Sequence, residues 1–296
     1  MSPVSYVGSP YQVVGEIAIF PMPGVAEDVV ASFGREWQSF HNFSFHEVER
    51  LGEEYFDLMK DLWRSDWIVL DAGCGSGRFS LYMTSRVKWV EAIDASFEAL
   101  LAAKDLLKSV TNVRLTCASL HHIPFPDESF DLVVSLGVLH HIPDTEGALA
   151  EIYRKVKKGG YVLLYLYYAL ENRGWGYRMI FRVVDALRRF ISRRPLAFRR
   201  VAAELLAWGV YLPLVSIARL LKGMGLSVYK KLPLSYYVDK SFYIMRNDAL
   251  DRFGTSLEKR FTRSEIQDML LRVGFREIVF SERMPFWRVR ARRPQG

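Results

Sequence analysis

Between Trp67 and Tyr167 the chain alternates short, almost wholly apolar runs with stretches of helical periodicity. The runs are Trp67–Asp71, Trp89–Asp94, Val113–Cys117, Phe130–Leu136 and Tyr161–Tyr167, and the helix-like stretches are Arg78–Arg86, Ser96–Ser109 and Thr145–Val156. A strand with no polar alternation must be covered on both faces, so this pattern predicts a parallel sheet with helices on each side. Regular structure is interrupted after Tyr168 and resumes at Thr262-Arg263-Ser264-Glu265, a capping box opening a helix that Gly274 closes. The strand-like runs Arg276–Ser281 and Phe286–Ala291, separated by Met284–Pro285, predict a terminal hairpin.

The remaining segments divide the chain. Residues 1–64 form a lead-in, irregular or short-stranded to 25 and helical from Ala26 to about Trp63 with a break around His41 to Ser44. Residues 65–168 and 262–296 form the core, and 169–261 an inserted, mainly helical segment. With 296 residues, half of them apolar, one elaborated domain is expected. In the insertion Met179, Ile180, Val183, Val184, Leu187 and Ile191 recur at helical spacing, opposite Arg178, Arg182, Asp185 and Arg189. A second helical stretch runs from about Ala197 to Leu221, and Pro213 is expected to bend or interrupt it. The apolar stretch Leu205 to Ala218 is shorter than the ~18 residues of a membrane-crossing helix, so no span is expected. No secretory leader is expected, and two cysteines, Cys74 and Cys117, point to a reducing, cytoplasmic setting.

The chemistry concentrates at Val69-Leu70-Asp71-Ala72-Gly73-Cys74-Gly75-Ser76-Gly77. Glycines at a strand-to-helix turn let the backbone approach a nucleotide or nucleoside closely. Asp94 ends the next strand, where a carboxylate can accept both ribose hydroxyls. Asp71 either organises the turn or contacts the ligand.

With these residues the sequence resembles the class I S-adenosylmethionine (SAM)-dependent methyltransferases over about 65–168 and 262–292. The GxGxG turn preceded by Asp71 is similar to their first motif and unlike the GxGxxG of dehydrogenases. Further segments follow in the family's order: Glu91 to Ser96, Ile123-Pro124-Phe125-Pro126-Asp127, Leu139-His140-His141-Ile142-Pro143-Asp144 and Lys157 to Tyr161. The resemblance implies a Rossmann-like, seven-stranded, mostly parallel sheet with an antiparallel last strand. It also implies SAM as cofactor and S-adenosylhomocysteine as product. Asp71, Gly73, Cys74, Gly75, Gly77, Asp94, Ala95 and Leu136 are the implied cofactor residues, with Ser119 standing where the family commonly has an Asp for the adenine amino group and Leu120 beside it. No metal is implied, and His121 and His122 read as ordinary loop residues.

His140 and His141 fall just past the fourth strand of the alternation, at the ligand-binding edge, where a histidine can take an acceptor's proton; His140 is the preferred base. Arg35, Trp37 and Phe40 form a candidate lid, and Tyr165, Tyr168 and Arg173 candidate acceptor contacts. Methyl transfer asks mainly for alignment and exclusion of water, so the acceptor is expected to be set by the lead-in and the insertion. A small, hydrophobic or lipid-linked acceptor, methylated at oxygen, is the expected substrate; the rivals are an RNA methyltransferase and a SAM-binding protein without catalysis.

The basic charge is local. From Arg173 to Lys231 there are thirteen Lys/Arg against two acids, a net +11 in a chain of net +7. Interleaved with Trp175, Phe190, Phe198 and Trp208, these cations suit a solvated face, an anionic membrane surface reached from the cytoplasm, or nucleic acid, the last being least expected. DNA amino methylation is disfavoured, because Ser135-Leu136-Gly137-Val138 stands where Asn/Asp-Pro-Pro-Tyr/Phe would be. Oligomeric state is not legible.

Overall fold

The computed structural model describes residues 2–22, 25, 45–169, 174–254, 257–282 and 287–296. The chain divides into two compact units, residues 1–172 with 257–296, and residues 173–256.

The first unit is an α/β sheet protein. Its strands are β1 (Gln12–Val14), β2 (Ile17–Ile19), β3 (Ile68–Ala72), β4 (Trp89–Asp94), β5 (Val113–Cys117), β6 (Phe130–Leu136), β7 (Val156–Leu166), β8 (Arg276–Phe280) and β9 (Trp287–Arg292). Helices α1 (Phe45–Tyr55), α2 (Arg78–Thr84), α3 (Phe97–Leu106) and α4 (Thr145–Lys155) precede the insertion, and α9 (Arg263–Val273) follows it. The sheet order is β1-β2-β5-β4-β3-β6-β7-β9-β8. Strands β2 to β7 pair in parallel, while β1 and the β8–β9 hairpin join antiparallel. The expected class holds with nine strands in place of seven. The two extra strands come from the lead-in, which is held to the sheet edge by partly buried polar contacts. Arg114 donates to Glu91 Oε2 and to Val4 O, each at 2.8 Å, and the Tyr6 hydroxyl lies 2.8 Å from that of Thr116.

Successive strand residues feed two cores, one on each face of the sheet, as the all-apolar runs require. Leu70 of β3, Val133 of β6 and Leu164 of β7 join one; Val69, Leu132 and Leu163 join the other. Asp131 fixes the start of β6, its Oδ2 accepting from the Ile68 N–H at 2.8 Å and from Lys157 Nζ at 2.9 Å. The capping box at Thr262 and Glu265 is formed, and Gly274 closes α9 at φ 120°.

The second unit comprises α5 (Trp175–Ser192), α6 (Leu196–Leu206), α7 (Leu212–Gly223) and α8 (Phe242–Gly254). The α-helical pattern is interrupted just ahead of Pro213, although the chain stays helical. A wide turn, Ala207–Tyr211, precedes it, and the Leu212 N–H reaches back to Ala207 O. Opening the helix there relieves the clash that the proline ring would make with the carbonyl one turn earlier. Ala197–Gly223 is thus one helix of 27 residues, long and apolar enough by length and composition to cross a membrane. The unit's core is small: Ile191, Ala207, Tyr211, Val215, Tyr237, Met245, Ala249 and Phe253.

Candidate active site

The sheet order reverses on either side of β3, and ligands bind beyond the carboxyl ends of the strands at such a switch point. A cavity lies there, partly open to solvent. The turn after β3 forms one wall. Gly73, Gly75 and Gly77 have φ of 90°, 53° and 78°, a region that side chains rarely adopt. Gly73 and Gly75 line the cavity, whereas Gly77 does not. A Cβ on Gly77 would meet Leu107 Cδ1 at 2.9 Å, so this glycine lets the start of α2 lie against the end of α3. The Gly73 and Cys74 N–H groups donate to Ile93 O at 2.8 and 2.9 Å, pinning the turn over the end of β4.

Asp94 is fixed by the same turn. Its Oδ2 accepts from the Gly75 N–H at 2.9 Å and its Oδ1 from the Ser96 N–H at 2.8 Å. Each carboxylate oxygen has two acceptor positions, so both can take a further hydroxyl, the requirement of a ribose diol. Burial raises its pKa, against the backbone N–H groups of Ser96 and Gly75, which lower it. Ala95, Ser119, Leu120 and Leu136 also line the cavity. The Ser119 hydroxyl accepts from the His121 N–H at 3.2 Å. Cys74 lines it as a neutral wall, burial first and then the Asp94 and Asp71 charges pushing its thiol well above the ordinary range. Left-handed glycines, a diol acceptor and the apolar Leu120, Ile142 and Phe79 fit the backbone, ribose and flat adenine demands of SAM.

Asp71 does not line the cavity. It is 2% exposed, and its Oδ2 accepts from the Ser80 hydroxyl at 2.6 Å, tying β3 to α2. Burial pushes its pKa up to about 7, opposed by the Ser80 hydrogen bond and reinforced by the charge of Asp94.

The two adjacent histidines part company in the single turn Leu139–His141. His140 is 0% exposed and lies away from the cavity lining, its ring 3.9 Å from that of Tyr167 and nearly parallel to it. Among the described residues neither of its ring nitrogens has a hydrogen-bond partner. Burial, with His141 and Arg260 adding, holds its pKa well below the usual range, so the ring is neutral. His141 lines the cavity, its Nδ1 2.7 Å from Leu257 O. A carbonyl only accepts, so Nδ1 carries the proton and Nε2 of the neutral ring carries the lone pair, the form a general base needs.

Tyr165 and Tyr168 are buried, at 7% and 4% exposure, and neither lines the cavity. Tyr165 packs edge-on against Tyr55 at 5.3 Å, and Tyr168 bridges to Phe261. Arg35, Trp37, Phe40 and Arg173 lie outside the described residues. Among the cavity residues that sequence reasoning gave no site role are Arg78, Phe79, His121, Ile142 and Pro143. The first two directly follow the glycine turn and the last two end the His-His-Ile-Pro segment, so both motifs pointed at them. His121 is held by donating from Nε2 to Asp144 O at 3.0 Å, a contact that no spacing announces.

Residues 70–164 match the family described as Methyltransferase domain. The uncharacterized methyltransferase YcgJ of Bacillus subtilis is 34% identical over 111 residues, which is 37% of this chain and 44% of its own. The malonyl-[acyl-carrier protein] O-methyltransferase of Hamiltonella defensa is 33% identical over 135 residues, 46% of this chain and 50% of its own. The chain therefore spans about half the length of the curated relatives it matches. Human N-acetylserotonin methyltransferase, solved in complex with SAM, aligns over 90% of this chain and 56% of its own with a TM-score of 0.52 and 15% identity, a likeness of fold. The glycine turn, Asp94 and the cavity residues between them lie within the segment, residues 70–164, that matches this methyltransferase family.

Proposed function

We propose that the protein transfers a methyl group from SAM to an oxygen of a small, apolar or lipid-linked acceptor, with His141 as general base. The observation that carries this reading is the meeting of Gly73, Gly75, Asp94 and His141 around one cavity, with the His141 tautomer set by Leu257 O. Bound SAM supplies a methyl group on a positively charged sulfur; as the new O–C bond forms, the S–C bond breaks and its electron pair stays on sulfur, giving S-adenosylhomocysteine. Asp94 holds the ribose, and Ser119 and Leu120 the adenine. His141 Nε2 receives the acceptor's hydroxyl proton as the bond forms. The apolar lining around Leu136, Val138 and Ile142 excludes water from the reacting atoms. Relatives named as malonyl-[acyl-carrier protein] O-methyltransferases support oxygen as the acceptor atom and an acceptor presented on a carrier.

The test separates cofactor from chemistry. Asp94→Ala should weaken SAM binding by about tenfold to several-hundredfold in calorimetry, the loss of two charge-assisted hydrogen bonds. His141→Gln should leave SAM affinity within about twofold and lower kcat by about 10²–10⁴ on the acceptor found by labelled-methyl profiling of cell metabolites. Unchanged turnover in His141→Gln removes the base, and unchanged affinity in Asp94→Ala removes the ribose assignment.

A further inference from the structure

Helix α5 carries its apolar stripe outward. Trp175, Met179, Val183, Leu187 and Phe190 recur every three or four residues and are 39–74% exposed. Arg188 of the same helix is 6% exposed, its guanidinium donating to Asp185 Oδ1 at 3.0 Å. A helix packed on its own protein by its apolar face shows the reverse. The helix Ala197–Gly223 repeats the arrangement. Phe198, Val201, Leu205 and Trp208 form an exposed row, and Ile217, Leu220 and Met224 form another beyond the wide turn. Its opposite side, Ala203, Ala207, Tyr211, Val215 and Ala218, is buried. The stripes of the two helices meet where the Phe190 and Phe198 rings contact edge-on at 6.5 Å.

Cations stand at that same meeting point. Arg189, Arg193 and Arg194 line a groove together with Ala186 and Phe190, and the Arg194 guanidinium lies 4.3 Å from the centre of the Phe190 ring. Apolar side chains that reach outward, edged by guanidinium groups with exposed Trp175 and Trp208 among them, match the depth profile of a bilayer surface. There, acyl chains lie below, aromatic rings sit at the boundary and phosphates lie above. Nucleic acid would satisfy the arginines and leave the Leu, Val and Met side chains in water.

We propose that the inserted unit docks flat on an anionic lipid bilayer, its exposed stripes among the acyl chains and Arg189, Arg193 and Arg194 on headgroup phosphates. A surface seat suits helix Ala197–Gly223 better than a span, although its length allows one. One side of it belongs to the unit's core, and along its flanks Glu204 pairs with Arg246 while Arg219 donates to Val238 O and Lys240 O at 3.0 and 2.7 Å. A spanning helix would have to carry those ionic groups into hydrocarbon.

The experiment uses the full chain and vesicles of phosphatidylcholine, alone or mixed equally with phosphatidylglycerol. Sedimentation should show binding to the mixed vesicles at least about tenfold stronger than to pure phosphatidylcholine, weakened by salt and released by alkaline carbonate. The double variant Arg193→Glu, Arg194→Glu should remove that preference. The double variant Val183→Asp, Leu205→Asp, on exposed positions, should abolish binding to both kinds of vesicle while SAM affinity and thermal unfolding stay as in the parent. The proposal is overturned by the absence of vesicle binding, by equal binding to both compositions, or by retention through carbonate. It is equally overturned by a stable dimer that the Asp variants dissolve, or by RNA competing the protein off the mixed vesicles. Vesicle binding and methyl transfer are read separately, so either can fail alone.

Discussion

The two units spend their apolar residues in opposite ways. In the sheet unit most residues of β3, β4 and β6 are buried between helical layers, and the buried charges Arg288 and Glu91 are paired, with Asp57 and Arg114. In the inserted unit the small core is surrounded by large apolar side chains left in solvent, among them Val183, Leu205 and Leu220 at 66–69% exposure. A sheet closed by helices on both faces has used its hydrophobic surface in folding, whereas a few helices on a small core keep theirs for something else. The difference separates a unit that spends its apolar residues on its own core from one that leaves large apolar side chains exposed.

The sharpest way to break this contrast is to damage the sheet unit at a buried charge. Arg288 is 1% exposed and lies 3.2 Å from Asp57, with Ser281 Oγ at 3.1 Å from its other nitrogen. Arg288→Ala should cost about 3–5 kcal/mol in denaturant unfolding, because Asp57 is left buried without its counter-charge. A loss below 1 kcal/mol would mean that the pair is solvated.

A buried acid next to the glycine turn gives a pH signature. Asp71 titrates near 7 in the folded chain against about 3.9 unfolded, so the unfolded state ionises first. Stability from this group is therefore full below about pH 4 and is lost as pH rises towards 7, by an upper bound near 4 kcal/mol. Asp71→Asn, which keeps an acceptor for Ser80, should flatten the stability profile between pH 5 and 8. A profile parallel to the parent's would show that Asp71 is already ionised.

Matched truncations compare the units directly. Leu132→Ala, at a position with 0% exposure, should cost about 2–5 kcal/mol, and Leu205→Ala, at 68%, within about 0.5. Equal losses would mean that Leu205 is covered in the isolated protein and that the contrast is false. A second pH signature is expected at His140. Its depressed pKa means that stability is full above about pH 6.5 and falls as the unfolded chain takes up a proton below it. His140→Phe should keep kcat, keep the stack on Tyr167 and flatten this fall in stability below pH 6.5. A large fall in kcat would instead return the base to His140.

These cases mark what is legible in a sequence. Signals carried by neighbouring residues read correctly: the alternation of apolar strands and helices, the capping box at Thr262, and the glycine turn with Asp94 at the next strand end. Gly77 and Asp71 belong to the same motif as Gly73, yet one packs helices and the other ties β3 to α2, because side-chain direction changes from one residue to the next. His140 and His141 are chemically identical and adjacent. Only the carbonyl of Leu257, brought back across the whole insertion, gives one of them a defined tautomer in the cavity while Tyr167 covers the other.

By itself the sequence determined the class of sheet, the place of the turn and the kind of ligand it cradles, since hydrophobic period and backbone freedom are local properties. The tertiary structure alone decided that the lead-in adds two strands, that the interruption ahead of Pro213 takes the form of a wide turn, and that the insertion's apolar stripes face outward. A hydrophobic stripe reads the same in sequence whether it is buried or exposed, because burial depends on what the rest of the chain places against it.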